Sequence, residues 1–131
     1  LLTTLIGFKN ISLDEIFGFI FRPLAWSMGV PWNESYLVGS LMGKKIVFTE
    51  LVAYADLKNI IILNDISERT AIISSYALCG FANFGSIGIQ LGGIGGIAPN
   101  RKKELAEIVT KAMIGGALAS WLTATIAGIL I

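Results

Sequence analysis

Histidine is absent from the 131 residues, and cysteine occurs once, at Cys79. Together these absences exclude a Cys/His zinc site, and a single thiol excludes an internal disulfide. No nucleophile–base pair and no cluster of metal ligands stands out, so the residues point away from an enzyme and from any cofactor or metal. Cys79 reads as a small buried hydrophobe. Charge is scarce too: 15% of residues are charged and 54% are hydrophobic, with a mean hydropathy of +0.74. A soluble domain carries about 25% charge. The net charge of +1 leaves no extended basic patch for a nucleic acid. The chain opens on Leu1 with no signal-peptide layout and reads as a portion of a longer protein.

Where charge is missing matters more than how much. From Thr70 to Asn100 there are 31 residues without Asp, Glu, Lys or Arg. As one helix they would measure about 46 Å, against a hydrocarbon core of about 30 Å. Ala112 to Ile131 is a second uncharged run, of 20 residues. Arg101-Lys102-Lys103-Glu104 and Pro99 lie between them. The expectation is two membrane spans joined by a short basic loop. The basic side chains favour the cytoplasmic side, which would put Ser67 and Ile131 outside. The soluble alternative is a pair of core helices, for which 131 residues give too little cover.

Three rows of small residues recur every four positions: Gly116, Ser120, Ala124 and Gly128; Gly115, Ala119, Thr123 and Ala127; and Gly88, Gly92 and Gly96. All three predict close helix packing. GGIGGI lacks the flanking strand and downstream acid of a dinucleotide fingerprint.

The first 66 residues are less regular. Ser12 and Glu15 form a capping box, and Leu13, Ile16, Phe17, Ile20 and Leu24 follow at helical spacing. Pro23 and Pro31 interrupt, and Trp26 and Trp32 flank the region as interface aromatics do. Residues 12–26 read as a helix along a membrane surface, or as a soluble amphipathic one. In residues 33–57 the apolar runs Tyr36–Met42, Ile46–Phe48 and Leu51–Ala55 are each too short to span, and Lys44, Lys45 and Glu50 divide them. Two short helices entering and leaving on one side, a re-entrant hairpin, fit this pattern. Glu50 at membrane depth is a functional candidate. Otherwise it lies at the surface or pairs with Lys45. Lys45 itself could meet a carboxylate or the carbonyls of a helix end.

Residues 79–93, CGFANFGSIGIQLGG, combine apolar side chains, glycines and an amide in the middle of an over-long span. Such a stretch predicts a broken helix, loosened at Gly80, Gly85 and Gly88, with backbone groups freed at half depth. Asn83 and Ser86 are three residues apart and share a face if the turn stays wound. With Glu50 they could hold a small polar ligand, and Phe81 would wall it. The chain is thus read as an all-α membrane protein: interfacial helix 12–26, re-entrant hairpin 33–57, broken transmembrane helix 67–98 and final transmembrane helix 104–131. A channel, or a structural membrane subunit without a substrate, is the alternative. A pore would be expected to repeat polar groups along its length, whereas here they gather in one layer.

GFANFGSIGIQLGGIGGIAP resembles the seventh-helix signature of the concentrative nucleoside transporters, with SYALCGFAN before it and RKKELAEIVTKA after it. GKKIVFTELVAY is similar to that family's G-x-K-x-x-x-N-E-F-V-A-Y, and FRPLAWSMGVPWNES to the lead-in of its second hairpin. The match leaves out only Leu1 to about Ile11. Thr49 stands where the motif has Asn and Leu51 where it has Phe, departures that bear on substrate preference and suggest a bacterial subgroup. The resemblance implies the C-terminal portion of a multi-pass protein of the bacterial plasma membrane. It would form homotrimers in lipid and take up nucleosides with sodium or protons. It also implies that Glu50 accepts from ribose hydroxyls, Asn83 and Ser86 complete the shell, Thr49 stands beside them and Phe81 walls the site. The base-reading hairpin and the coupling-ion site lie in the other half.

Overall fold

The computed structural model describes residues 12–131, and every regular element among them is helical. In order these are α1 (Leu13–Ser27), α2 (Ser35–Val47), α3 (Glu50–Ile62), α4 (Glu68–Leu78), α5 (Phe84–Ile97) and α6 (Lys102–Leu130). A 3-10 turn, Pro99–Arg101, leads into α6.

The capping box forms: Ser12 Oγ accepts from the Glu15 N–H at 3.3 Å, and the Glu15 carboxylate accepts from the Ser12 N–H at 3.1 Å. Pro23 lies inside α1 and does not interrupt it, while Pro31 falls in the turn to α2. α1 packs tightly on α2 because glycines face glycines. A Cβ on Gly39 would stand 2.9 Å from the Gly18 carbonyl oxygen and 3.0 Å from the Arg22 nitrogen, both backbone atoms. The Phe17 ring fills the space beside Gly43. Arg22 lies 4.1 Å over the Trp32 ring and donates to the Trp32 carbonyl at 3.0 Å. Trp26 meets Trp32 edge-on at 6.2 Å. Lys44 joins three helices, 3.0 Å from Asp14 of α1 and 2.6 Å from Asp56 of α3.

α2 and α3 are separated by two residues, Phe48 and Thr49. α3 runs past residue 57 to Ile62, since Lys58 and Asn59 are accommodated on its exposed side. It stops before Asn64, which takes a left-handed φ of 56°.

The uncharged run from Thr70 is not one helix. α4 has 11 residues and α5 has 14, about 16 and 21 Å long. Neither alone matches a core of about 30 Å. The break covers Cys79–Asn83, and Gly80 turns the chain at φ 123°. Gly85 and Gly88 are helical, so the loosening is confined to the residues before Phe84. Pro99–Leu130, 32 residues, is long and apolar enough to cross a membrane.

One of the three small-residue rows packs within the chain. Gly116 lies against Ala82, Ala124 is fully buried, and Gly128 admits the Met28 carbonyl so closely that no Cβ would fit. Arg69 at the start of α4 donates to the carbonyls of Gly128 and Gly29. A Cβ on Gly88, Gly92, Gly96 or Gly115 would meet nothing from another helix within 4 Å among the described residues. Among the described residues, those glycines pack against no other helix.

Glu34 bridges the turns that lead into α2 and α4. Its carboxylate accepts from the Ser67 N–H at 3.2 Å and the Ser67 hydroxyl at 2.9 Å. Partial burial pushes this carboxyl up, but the hydrogen bonds from Thr70 and Ser67 outweigh that and hold it below its ordinary value of 4.5.

Two outcomes follow from these contacts. Gly39→Val should overpack the α1–α2 contact by about 1–3 kcal/mol and lower the unfolding midpoint of the purified protein. An unchanged midpoint would mean the helices can part freely. A carboxylate whose pKa is depressed by folding stabilises above its unfolded pKa, and that contribution fades as pH falls through the folded value. The midpoint should therefore fall as pH drops below 4.5, and Glu34→Gln should flatten that part of a pH–melting profile.

Candidate binding site

The site is assembled from four helix ends. α3 begins at Glu50 and α5 at Phe84, so both present N-termini; α2 ends at Val47 and α4 at Leu78, so both present C-termini. Helix N-termini favour negative charge and C-termini positive charge. The sequence obliges: Glu50 stands in the first turn of α3 and Lys45 in the last turn of α2.

At the N-terminal pole, Asn83 caps α5. Its Oδ1 accepts from the Ser86 N–H at 2.8 Å, and its Nδ2 donates to Glu50 Oε2 at 2.9 Å. This orientation of the amide satisfies both neighbours, and the reverse would satisfy neither. Ser86 completes a capping box by accepting from the Asn83 N–H at 3.3 Å, and it donates its own proton to the Asn83 carbonyl at 2.6 Å. Glu50, Asn83 and Ser86 are 8%, 4% and 5% exposed. A carboxylate so enclosed needs hydrogen-bond partners.

At the C-terminal pole, α2 and α3, the two arms of a helical hairpin, cap α4. Lys45 is fully buried; its Nζ donates to the Ala77 carbonyl at 3.0 Å and to Ser120 Oγ of α6 at 2.8 Å. Tyr54 of α3 donates its hydroxyl to the Ser75 carbonyl at 2.7 Å. These carbonyls would otherwise be orphans of a helix end. Of the alternatives open for Lys45, the helix-end carbonyl is the one observed. Its charge is not matched by a carboxylate within ion-pair distance among the described residues.

Thr49, Glu50, Phe81, Asn83 and Ser86 all line one cavity of about 440 Å³, together with Gly85, Ile89 and Gln90. That size suits a small organic ligand. Phe81 is 77% exposed, a side wall and not a buried one. Thr49 caps α3, accepting weakly from the Val52 N–H at 3.5 Å. Cys79 is exposed in the break, so the expectation of a buried thiol is overturned; the helix that would have buried it ends one residue earlier.

The structure adds Gln90 and Tyr54 to the residues expected around the site. Gln90 is the single glutamine of the chain and lies four residues beyond Ser86, on the same helical face, which is the signal that could have found it. Tyr54 gave no such signal, because its partner is 21 residues away.

The unused capacity of the site is specific. Glu50 Oε1 has no protein partner among the described residues, and Asn83 Nδ2 keeps one N–H. Ser86 has given its proton to the backbone, so it can only accept. The arrangement offers one anionic acceptor and one adjacent donor to a neutral polar ligand.

The family described as "Na+ dependent nucleoside transporter C-terminus" matches residues 1–128. The chain belongs to the concentrative nucleoside transporter family. The uncharacterized transporter YutK of Bacillus subtilis (strain 168) is 46% identical over 97% of the chain. The putative nucleoside permease NupX of Escherichia coli (strain K12) is 42% identical over 95% of it. The chain spans 31% and 30% of the lengths of those two proteins. Among solved structures, the transporter CNTnw in an inward-facing substrate-bound state superposes with a TM-score of 0.91 at 41% identity, over 97% of the chain and 31% of CNTnw. A variant of CNTnw in an outward-facing state gives 0.90 over the same shares. The family is one of membrane transporters, and the all-helical fold is theirs.

Asn83→Asp tests the site's electrostatics. It keeps a good helix cap but sets a second carboxylate against Glu50, where two like charges in contact cannot both ionise easily. The variant should melt well below the wild type at pH 7 and recover most of the difference near pH 5. Equal melting at both pH values would show that positions 50 and 83 are not in contact.

Proposed function

We propose that this chain supplies the ribose-binding half of the substrate site in a nucleoside transporter. The transporter takes nucleosides into a bacterial cell across its plasma membrane, coupled to a sodium or proton gradient. The observation that carries this reading is the Glu50–Asn83 hydrogen bond of 2.9 Å, set in a cavity with a free carboxylate oxygen and a free amide N–H beside it. A vicinal diol complements that pair. One hydroxyl donates to Glu50 Oε1; another accepts from Asn83 Nδ2 and donates onward. Hydrogen bonds to a charged group contribute about 1.5–3 kcal/mol each, so two give useful affinity while leaving release feasible. Phe81 offers a flat apolar surface against which a ring could lie.

The family description supports sodium as one candidate for the coupling ion. The ion site itself is assigned to the remainder of the protein, as are the base contacts. The proposed assembly is a homotrimer in lipid, with the basic turn at Arg101–Lys103 on the cytoplasmic side. A channel would be served better by polar groups strung along the spanning helix. Here they are concentrated at the breaks.

Glu50→Gln in the full-length protein should abolish gradient-dependent nucleoside uptake into vesicles while membrane insertion persists. Asn83→Ala should raise the KM for uridine about tenfold or more, the loss of one such bond. Uptake that does not saturate, or normal uptake by Glu50→Gln, would point to the channel reading or to a different site.

A further inference from the structure

The broken end of α4 is capped by the hairpin's two arms, and this bears on the site a few residues away. Asn83 reaches Glu50 only if the five-residue break Cys79–Asn83 leaves α4 in a fixed direction. A helix end with orphan carbonyls has no such fixed direction; it frays, and its last turn can rewind. Three consecutive carbonyls are held here. Ser75 O accepts from Tyr54 Oη of α3, Tyr76 O from the Cys79 N–H, and Ala77 O from Lys45 Nζ of α2. Two of the three donors are hairpin side chains, one from each arm. Lys45 is also tied to α6 through Ser120, so three separate elements converge on this end.

Lys45 and Tyr54 do not line the cavity. We propose that they are positioning residues for the substrate site: by capping α4 from the two arms of the hairpin, they fix the break that carries Asn83 to Glu50. The hairpin thus contributes twice, with Glu50 toward the ligand and with Lys45 and Tyr54 toward the helix that presents the ligand's other contact. Lys45 brings its amino group to two helix C-termini, where positive charge is favoured and hydrogen bonds from an ammonium are stronger than those from a neutral donor.

This rests on the nucleoside-site reading above. The test is the KM–Vmax split for nucleoside uptake by the full-length transporter, with surface abundance measured alongside. A residue that only stabilises the fold lowers the number of active molecules, hence Vmax, and leaves KM alone. Lys45→Met, which keeps length without charge, should raise KM about tenfold, and Tyr54→Phe, which removes one oxygen, about threefold. Lys44→Met on the same helix, whose partners are Asp14 and Asp56, should leave KM unchanged. KM at the wild-type value in both Lys45→Met and Tyr54→Phe overturns the proposal, whatever happens to Vmax. If Lys45→Met yields no protein in the membrane, Tyr54→Phe decides alone, since loss of a single hydroxyl leaves the packing intact. Absence of saturable nucleoside uptake by the wild type would instead overturn the functional reading itself.

Discussion

An enclosed carboxylate governs this structure. Glu50 is taken out of bulk solvent, and a charge so placed is tolerated only where fixed dipoles and hydrogen bonds replace water. The chain meets the requirement by ending helices. Two helices begin beside Glu50, and Asn83 aligns an amide on it while capping the second of them. Two other helices stop beside Lys45. Negative and positive poles of the half-helices are thereby sorted to opposite sides of the breaks, each contribution about 0.3–1 kcal/mol and up to about 2 where partly buried. The continuity lost from the backbone ladder is regained through side chains.

The remaining architecture keeps these four ends in register. Glycines at positions 18 and 39 let α1 and α2 touch backbone to backbone, which leaves the hairpin little freedom to slide. Arg69 secures the far end of α6 to the start of α4, and Gly128 admits the Met28–Gly29 turn. The superposition on CNTnw is almost equally good for an inward-facing and an outward-facing state. The matching third of CNTnw is thus about equally similar to this chain in both structures.

Much of this could be read from the residues in advance, for physical reasons. The helix break was legible because 31 uncharged residues are too long for one crossing and hold a glycine–amide cluster at their middle. Glu50, Asn83 and Ser86 were legible because polar groups are costly in apolar surroundings and demand a purpose. Local signals resolved local features: the capping box at Ser12 is as expected. Non-local partners were beyond reach. Nothing in the run LVAYADL says that Tyr54 seeks a carbonyl at position 75, or that Lys45 seeks one at position 77. The rows of small residues carry a different kind of signal. A row of small residues states that close approach is possible, not which surface takes it up; among the described residues the row from Gly116 to Gly128 packs on this chain.

Asn83 holds a helix together and touches the carboxylate with the same amide group. A side chain with two such obligations tolerates little replacement, because any change that frees the carboxylate also loosens the helix cap. Phe81 and Gln90 on the cavity rim carry neither obligation, so the cavity can be reshaped there while the cap and the carboxylate contact stay in place.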